Sequence, residues 1–192
     1  SISVVAGALA KLQLLAPGET TAPGTSAGKT GAPSAQTAGT AFNVTVNAVD
    51  ANWNAVTSTD TIAITSSDAN ATLPGNAALA GGTQSFSVTF KTAGSRTVTA
   101  TDQTNGGITA NTTPSITVNA GAFAKLQVLA PGESAAPGTG SGRTGSPTAQ
   151  TAGAAFNVTV NAVDANWNFV STATDTVAIT SSDSNATLPS NA

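Results

Sequence analysis

Residues Gln36–Asn54 read QTAGTAFNVTVNAVDANWN. A Thr-Ala-Gly turn signal opens the stretch. Over Ala41–Val49, Phe42, Val44 and Val46 then alternate with Asn43, Thr45 and Asn47. Side chains of a strand point alternately to its two faces, so this pattern predicts one apolar and one polar face. The stretch closes on Asp50-Ala51-Asn52-Trp53-Asn54, where Asx residues mark a turn. Outward from it the same alternation recurs. Ala8–Leu15 offers Leu12 and Leu14, Asp60–Thr65 offers Ile62 and Ile64, and Gln84–Lys91 offers Phe86, Val88 and Phe90. Arg96–Thr101 adds Val98 and Ala100, and Ser115–Asn119 adds Ile116 and Val118. No long segment carries apolar residues at helical spacing. The chain therefore reads as all-β, with short antiparallel strands in sheets packed face to face.

The opening stretch returns as Gln150–Asn168, where Ala154 in place of Thr40 is the single difference. The likeness is wider still: Ala120–Asn168 repeats Ala6–Asn54 with about 10 mismatches, at an offset of 125 − 11 = 114 residues (Lys11 to Lys125). A fixed period of this length marks a tandem array. Ser1–Gly7 (SISVVAG) matches Ser115–Gly121 (SITVNAG), so Ser1–Val5 is expected to be the last strand of a preceding repeat. Ala6–Asn119 is expected to be one complete repeat, and Ala120–Ala192 the N-terminal part of another. The second copy gains one residue near Ala173 and stops at the counterpart of Leu73–Ala77, so nothing in it matches Ala78–Asn119. Its core is expected to need strands from further chain or from a neighbour.

Composition narrows the function. Charged residues make up 8% and the net charge is −3, which leaves no electrostatic basis for gripping nucleic acid or anionic lipid. The chain has no Cys, His, Met or Tyr. That excludes thiolate and imidazole catalysis, Cys/His zinc sites and disulfides. No apolar run approaches the length of a membrane-spanning helix, so no membrane insertion is expected within this segment. No enzyme activity and no bound cofactor are expected.

With these residues in view, the chain resembles bacterial immunoglobulin-like repeats of the invasin/intimin-like and filamin-like kind. The resemblance lies in Gln36–Asn54 and in Thr92-Ala-Gly-Ser-Arg-Thr-Val-Thr-Ala-Thr101. It implies tandem immunoglobulin-like β-sandwiches of antiparallel, Greek-key topology, with the second unit truncated. It also implies an extracellular setting on the cell surface. Where that family carries Gly before the final Asn, this chain has Trp53 and Trp167. Either indole folds over its own sheet edge, or it anchors an interface with a neighbouring repeat.

Other constellations are weaker. Asp50, Asn52 and Asn54, with their counterparts Asp164, Asn166 and Asn168, open like a calcium loop. The pattern then fails, with Ala55 where Gly belongs and Thr61 where Glu belongs; the alternative is that the Asx side chains bond their own turn. Lys11, Lys29 and Lys91 lie on polar faces or in a loop, unsuited to a buried isopeptide bond. Asn-x-Thr occurs at Asn43, Asn70, Asn111, Asn157 and Asn185, as expected by chance in so Asn/Thr-rich a chain. Pro17–Ala32, recurring as Pro131–Ser146, is long for a loop inside a compact domain. It is a tolerated insertion, an element that packs on the next unit or on a neighbouring molecule, or a glycosylated or ligand-facing loop. Two functions follow. The first is a structural repeat protein forming a stalk, fibre or sheath through homotypic contacts. The second is an adhesin-type module that binds glycan or protein through sandwich loops.

Overall fold

A computed structural model describes residues 2–191; Ser1 and Ala192, the outermost residues of the repeat assignment, lie outside them. Strands in the first copy are β1 (Lys11–Leu15), β2 (Glu19–Thr21), β3 (Lys29–Gly31), β4 (Gln36–Thr37), β5 (Ala41–Val49) and β6 (Thr61–Ser66). They continue with β7 (Ala77–Ala78), β8 (Thr83–Thr89), β9 (Gly94–Arg96), β10 (Val98–Asp102), β11 (Asn111–Thr112) and β12 (Ile116–Asn119). The second copy holds β13 (Lys125–Leu129), β14 (Glu133–Ala135), β15 (Arg143–Gly145) and β16 (Thr159–Val163). Among the described residues there is no helix.

In the first copy β1-β5-β8 form one sheet and β11-β10-β6-β7 a second, both antiparallel. A third, β4-β12-β9, includes a parallel pair, with Val118 opposite Gln36. The apolar faces meet in one core that joins Leu12, Leu14, Phe42, Val44 and Val46 to Ile62, Val88, Phe90, Val98 and Ile116. The architecture is consistent with a β-sandwich. The rings of Phe42 and Phe90 pack 5.1 Å apart at 48°. Each such side chain contributes about 1.5–3 kcal/mol by leaving water.

Three features depart from the alternation pattern. The segment Arg96–Thr101 divides at Thr97, so that β9 and β10 belong to different sheets. The parallel β4–β12 pair brings together strands far apart in the chain, a pairing invisible to local periodicity. Thirdly, Pro17–Ala32 is no open loop: β2 and β3 form a hairpin within it. That hairpin covers the polar face of β1, so Gln13 is buried. The amide of Gln13 donates to Gly28 O at 2.7 Å and accepts from Asn47 Nδ2 at 3.0 Å, which offsets its burial. Glu19, also buried, accepts from Ala16 N and pairs with Lys29 Nζ at 2.9 Å.

The second copy repeats the β1–β5 pairing as β13–β16 and the hairpin as β14–β15, in matching register. Its strand content then stops short. Residues 155–158 carry no strand, although their counterparts begin β5 beside β8. Residues 176–181, matching β6, carry none either. Leu126 is 44% exposed where Leu12 is fully buried, and Phe156 is 54% exposed where Phe42 is 8%. An open apolar groove lined by Phe123, Leu126, Val160 and Phe169 stands where the first copy has its closed core.

Candidate interface between the two copies

The Asp-Ala-Asn-Trp-Asn corner is built identically in both copies. In the first, Asp50 Oδ1 accepts from the amides of Asn52 (2.8 Å) and Asn54 (2.9 Å). Its Oδ2 accepts from Asn54 Nδ2 and from the amide of Gly7, both at 2.9 Å. In the second, Asp164 accepts in the same way from Asn166, Asn168 and Gly121. The side-chain amide of Asn54, then the backbone of Gly7, hold the Asp50 carboxyl down at about 2. The six residues weighed as calcium ligands lie in these two corners, where N–H donors meet both oxygens of each aspartate. A cation there would have to displace those donors. Asp60, Asp68 and Asp102 do not converge, and no group of three or more acidic side chains fit to hold a metal exists among the described residues.

The indoles sit beside this corner. Trp53 and Trp167 adopt φ of 67° and 68°, in the left-handed region that costs a side-chain-bearing residue roughly 1–2 kcal/mol. The cost is offset by contacts within the same copy. Lys11 Nζ lies 3.6 Å from the Trp53 ring centroid and Lys125 Nζ 3.4 Å from that of Trp167. The opposite contact is with the hairpin: a Cβ on Gly28 or Gly142 would collide with the indole. Each Trp thus packs on its own hairpin, while Asn166 and Asn168 beside Trp167 reach the first copy.

Across the seam, Asn168 acts as donor and acceptor together. Its Nδ2 donates to Lys91 O at 2.9 Å and its Oδ1 accepts from Ala93 N at 2.8 Å. Asn168 is 2% exposed. The loop it grips is held from behind by Asp68, whose Oδ2 accepts from the amides of Lys91 (2.7 Å) and Thr92 (2.9 Å) and whose Oδ1 accepts from Thr92 Oγ1 (2.8 Å). Burial alone would raise the Asp68 pKa, but the donors of Thr92 and Lys91 prevail and lower it.

Two glycines permit close approach. A Cβ on Gly39 would meet Asn166 Nδ2 at 2.5 Å, and one on Gly138 would collide with Thr92 and Asn70. The hairpin tip of the second copy thereby rests on the first, with Asn70 Nδ2 3.5 Å from Pro137 O. A shallow cleft lined by Ala38, Gly39, Thr40, Gly121, Ala122 and Asn166 completes the seam. Sequence reading marked Trp53 and Trp167 for an interface and weighed Asn168 as a calcium ligand. The joint roles of Asn168, Asp68 and Gly138 carry no local signal: the Asp-Ala-Asn-Trp run before Asn168 repeats that before Asn54, and Ala136-Pro137-Gly138-Thr139 repeats Ala22-Pro23-Gly24-Thr25.

No family model matches the chain, and no curated protein matches it. Among solved structures it is similar to domains 1–6 of the surface layer protein SbsC, at 18% identity and a TM-score of 0.40, over 88% of this chain and 18% of that one. It is likewise similar to domains 4–9 of SbsC (20% identity, TM-score 0.40, 85% of this chain and 21% of that one). A third similarity is to SbsC domains 5–6 (19%, TM-score 0.37, 84% and 65%). The chain spans less than two thirds of each of these structures.

Proposed function

We propose that this chain is a structural repeat protein of a bacterial cell surface, in which tandem immunoglobulin-like, Greek-key β-sandwiches build a stalk, fibre or sheath through contacts between like units. The observation that carries this reading is the seam between the copies. Its loops are organised by one buried aspartate on each side, Asp68 and Asp164, and joined by both ends of the Asn168 amide. A joint built from buried polar groups fixes orientation, since each group must find its partner or lose a hydrogen bond. The surface setting rests on the resemblance of Gln36–Asn54 and Thr92–Thr101 to bacterial surface repeats. An adhesin would keep its end loops free for ligand. Here Ala38 and Gly39 meet Gly121 and Asn166, and 91–93 meets Asn168 and Gly138, which favours the structural reading.

Small-angle scattering with and without Asn168→Ala tests it. The expected result is an elongated particle with a defined end-to-end distance, which broadens in the variant. A distance distribution already broad in the unaltered chain would sink the proposal. Light scattering across a concentration series checks contacts between chains, with growth in mass expected.

A further inference from the structure

The seam uses a surface of the second copy that has a counterpart on the first. Gly138, closed over by Thr92 and Asn70, corresponds to Gly24, which has nothing within 4 Å. Pro137, Gly138 and Thr139 are half-buried, whereas Pro23, Gly24 and Thr25 are exposed. Asn168 is buried, and Asn54 is only half so. The corner beneath is nonetheless complete, with Gly7 bonded to Asp50 as Gly121 is to Asp164. Just before it, Ile2 and Val4 are 93% and 90% exposed, while their counterparts Ile116 and Val118 lie in the core at 0% and 3%. Two observations thus point to the same kind of contact: a formed socket, and beside it residues 2–5, an exposed apolar segment that forms no strand here although it carries the alternation of β12.

Resting on the structural reading above, we propose that the Gly24–Asn52–Asn54 end of the first copy is a docking site for the Gly39–Asn70–Thr92 end of another copy of the repeat, with residues 2–5 as that copy's last strand. The occupant follows from the joint within the chain: the socket chemistry is identical, so the surface that fits one fits the other. Asn54 Nδ2 and Oδ1 would meet the carbonyl and amide that Lys91 and Ala93 offer to Asn168.

The test is a chain lengthened at its front by residues 6–114 joined to Ser1, so that residues 1–5 close the added copy. Amide hydrogen exchange reads the result. The added counterpart of Ala93 is expected to be protected to within about threefold of Ala93 itself. Asn54→Ala is expected to accelerate that amide about tenfold, the effect of losing roughly one net hydrogen bond, while leaving Ala93 unchanged. Asn54→Ala in the original chain supplies the baseline, since there it removes only bonds within its own corner. Protection of the counterparts of Val44 and Val88 reports independently on folding of the added copy. If that copy does not fold on residues 1–5, the strand assignment is overturned. If it folds but its Ala93 counterpart exchanges freely while Ala93 stays protected, the docking proposal fails and the structural reading survives. If Asn168→Ala does not release Ala93 in the original chain, both fail together.

Discussion

Two nearly identical sequences stand in this molecule in different states. In the first copy β5 runs for nine residues between β1 and β8, and its apolar face is sealed. In the second, β16 covers five residues beside β13 alone, and Leu126, Val128, Phe156 and Val158 are exposed. What does not change between them is equally informative. The aspartate corner, the left-handed Trp, the Lys–indole stack and the hairpin form in both copies, with near-equal distances. Short-range chemistry builds these pieces without a finished core beneath them. Burial is conferred by strands β8, β10 and β12, the nearest of which begins 83 − 49 = 34 residues beyond the end of β5.

The largest expected break in this comparison is at the paired phenylalanines. Phe42→Ala is expected to cost about 3–4 kcal/mol, because it empties a packed site beside Phe90. Phe156→Ala is expected to stay within about 0.5 kcal/mol, as for other exposed positions. Denaturant midpoints of the two variants check this, and equal losses would mean that the second copy is closed in solution. Next in size is Gly28→Ala, which forces a side chain onto a φ of +72° and into the Trp53 ring. A loss of about 2 kcal/mol or more is expected. Gly142→Ala should disturb its own indole equally, read as a matching change in tryptophan fluorescence, because this clamp is local to each copy.

A smaller effect separates the two asparagines. Asn168→Ala should destabilise more than Asn54→Ala by about 1–3 kcal/mol, the net value of two hydrogen bonds across the seam. Amide exchange at Ala93 localises that difference. Acid supplies the gentlest probe. The Asp50 carboxyl is held at about 2 against an ordinary 3.8, and Asp68 is lowered as well. Their contribution is therefore present in full above the ordinary carboxylate range and is lost as pH falls from about 4 towards 2. Protection at Ala93, measured against the intrinsic exchange rate at each pH, should fall over that window, and Asp68→Asn should flatten the pH dependence. Constant protection down to pH 2 would remove Asp68 from the account of the seam.

Alternation made the strands legible, and Ala41–Val49 has the predicted bounds and faces. Locally encoded turns were legible as well. Pairing between distant segments was not, because β4 and β12 recognise each other only once the sheets have formed. Gln13 reads as outward-facing for a similar reason: nothing near it announces that a hairpin will cover it. Trp53 drew notice as the unusual residue, and the structure packs it between Gly28 and Lys11 of its own copy. Asn168 reads only as a calcium-loop or turn residue, because the residues before it match those before Asn54. Only the loop that arrives from Lys91–Ala93 makes them different.

The two-ended grip of Asn168 has a geometric consequence. Because its amide is satisfied only when donor and acceptor both meet their partners, it sets the rotation of one copy about the next as well as their separation. The seam joins unlike surfaces, head to tail, and repetition of such a contact without closure generates a helix. A run of these repeats would then carry a constant screw angle, and its handedness and pitch would be written into a single side chain at each step.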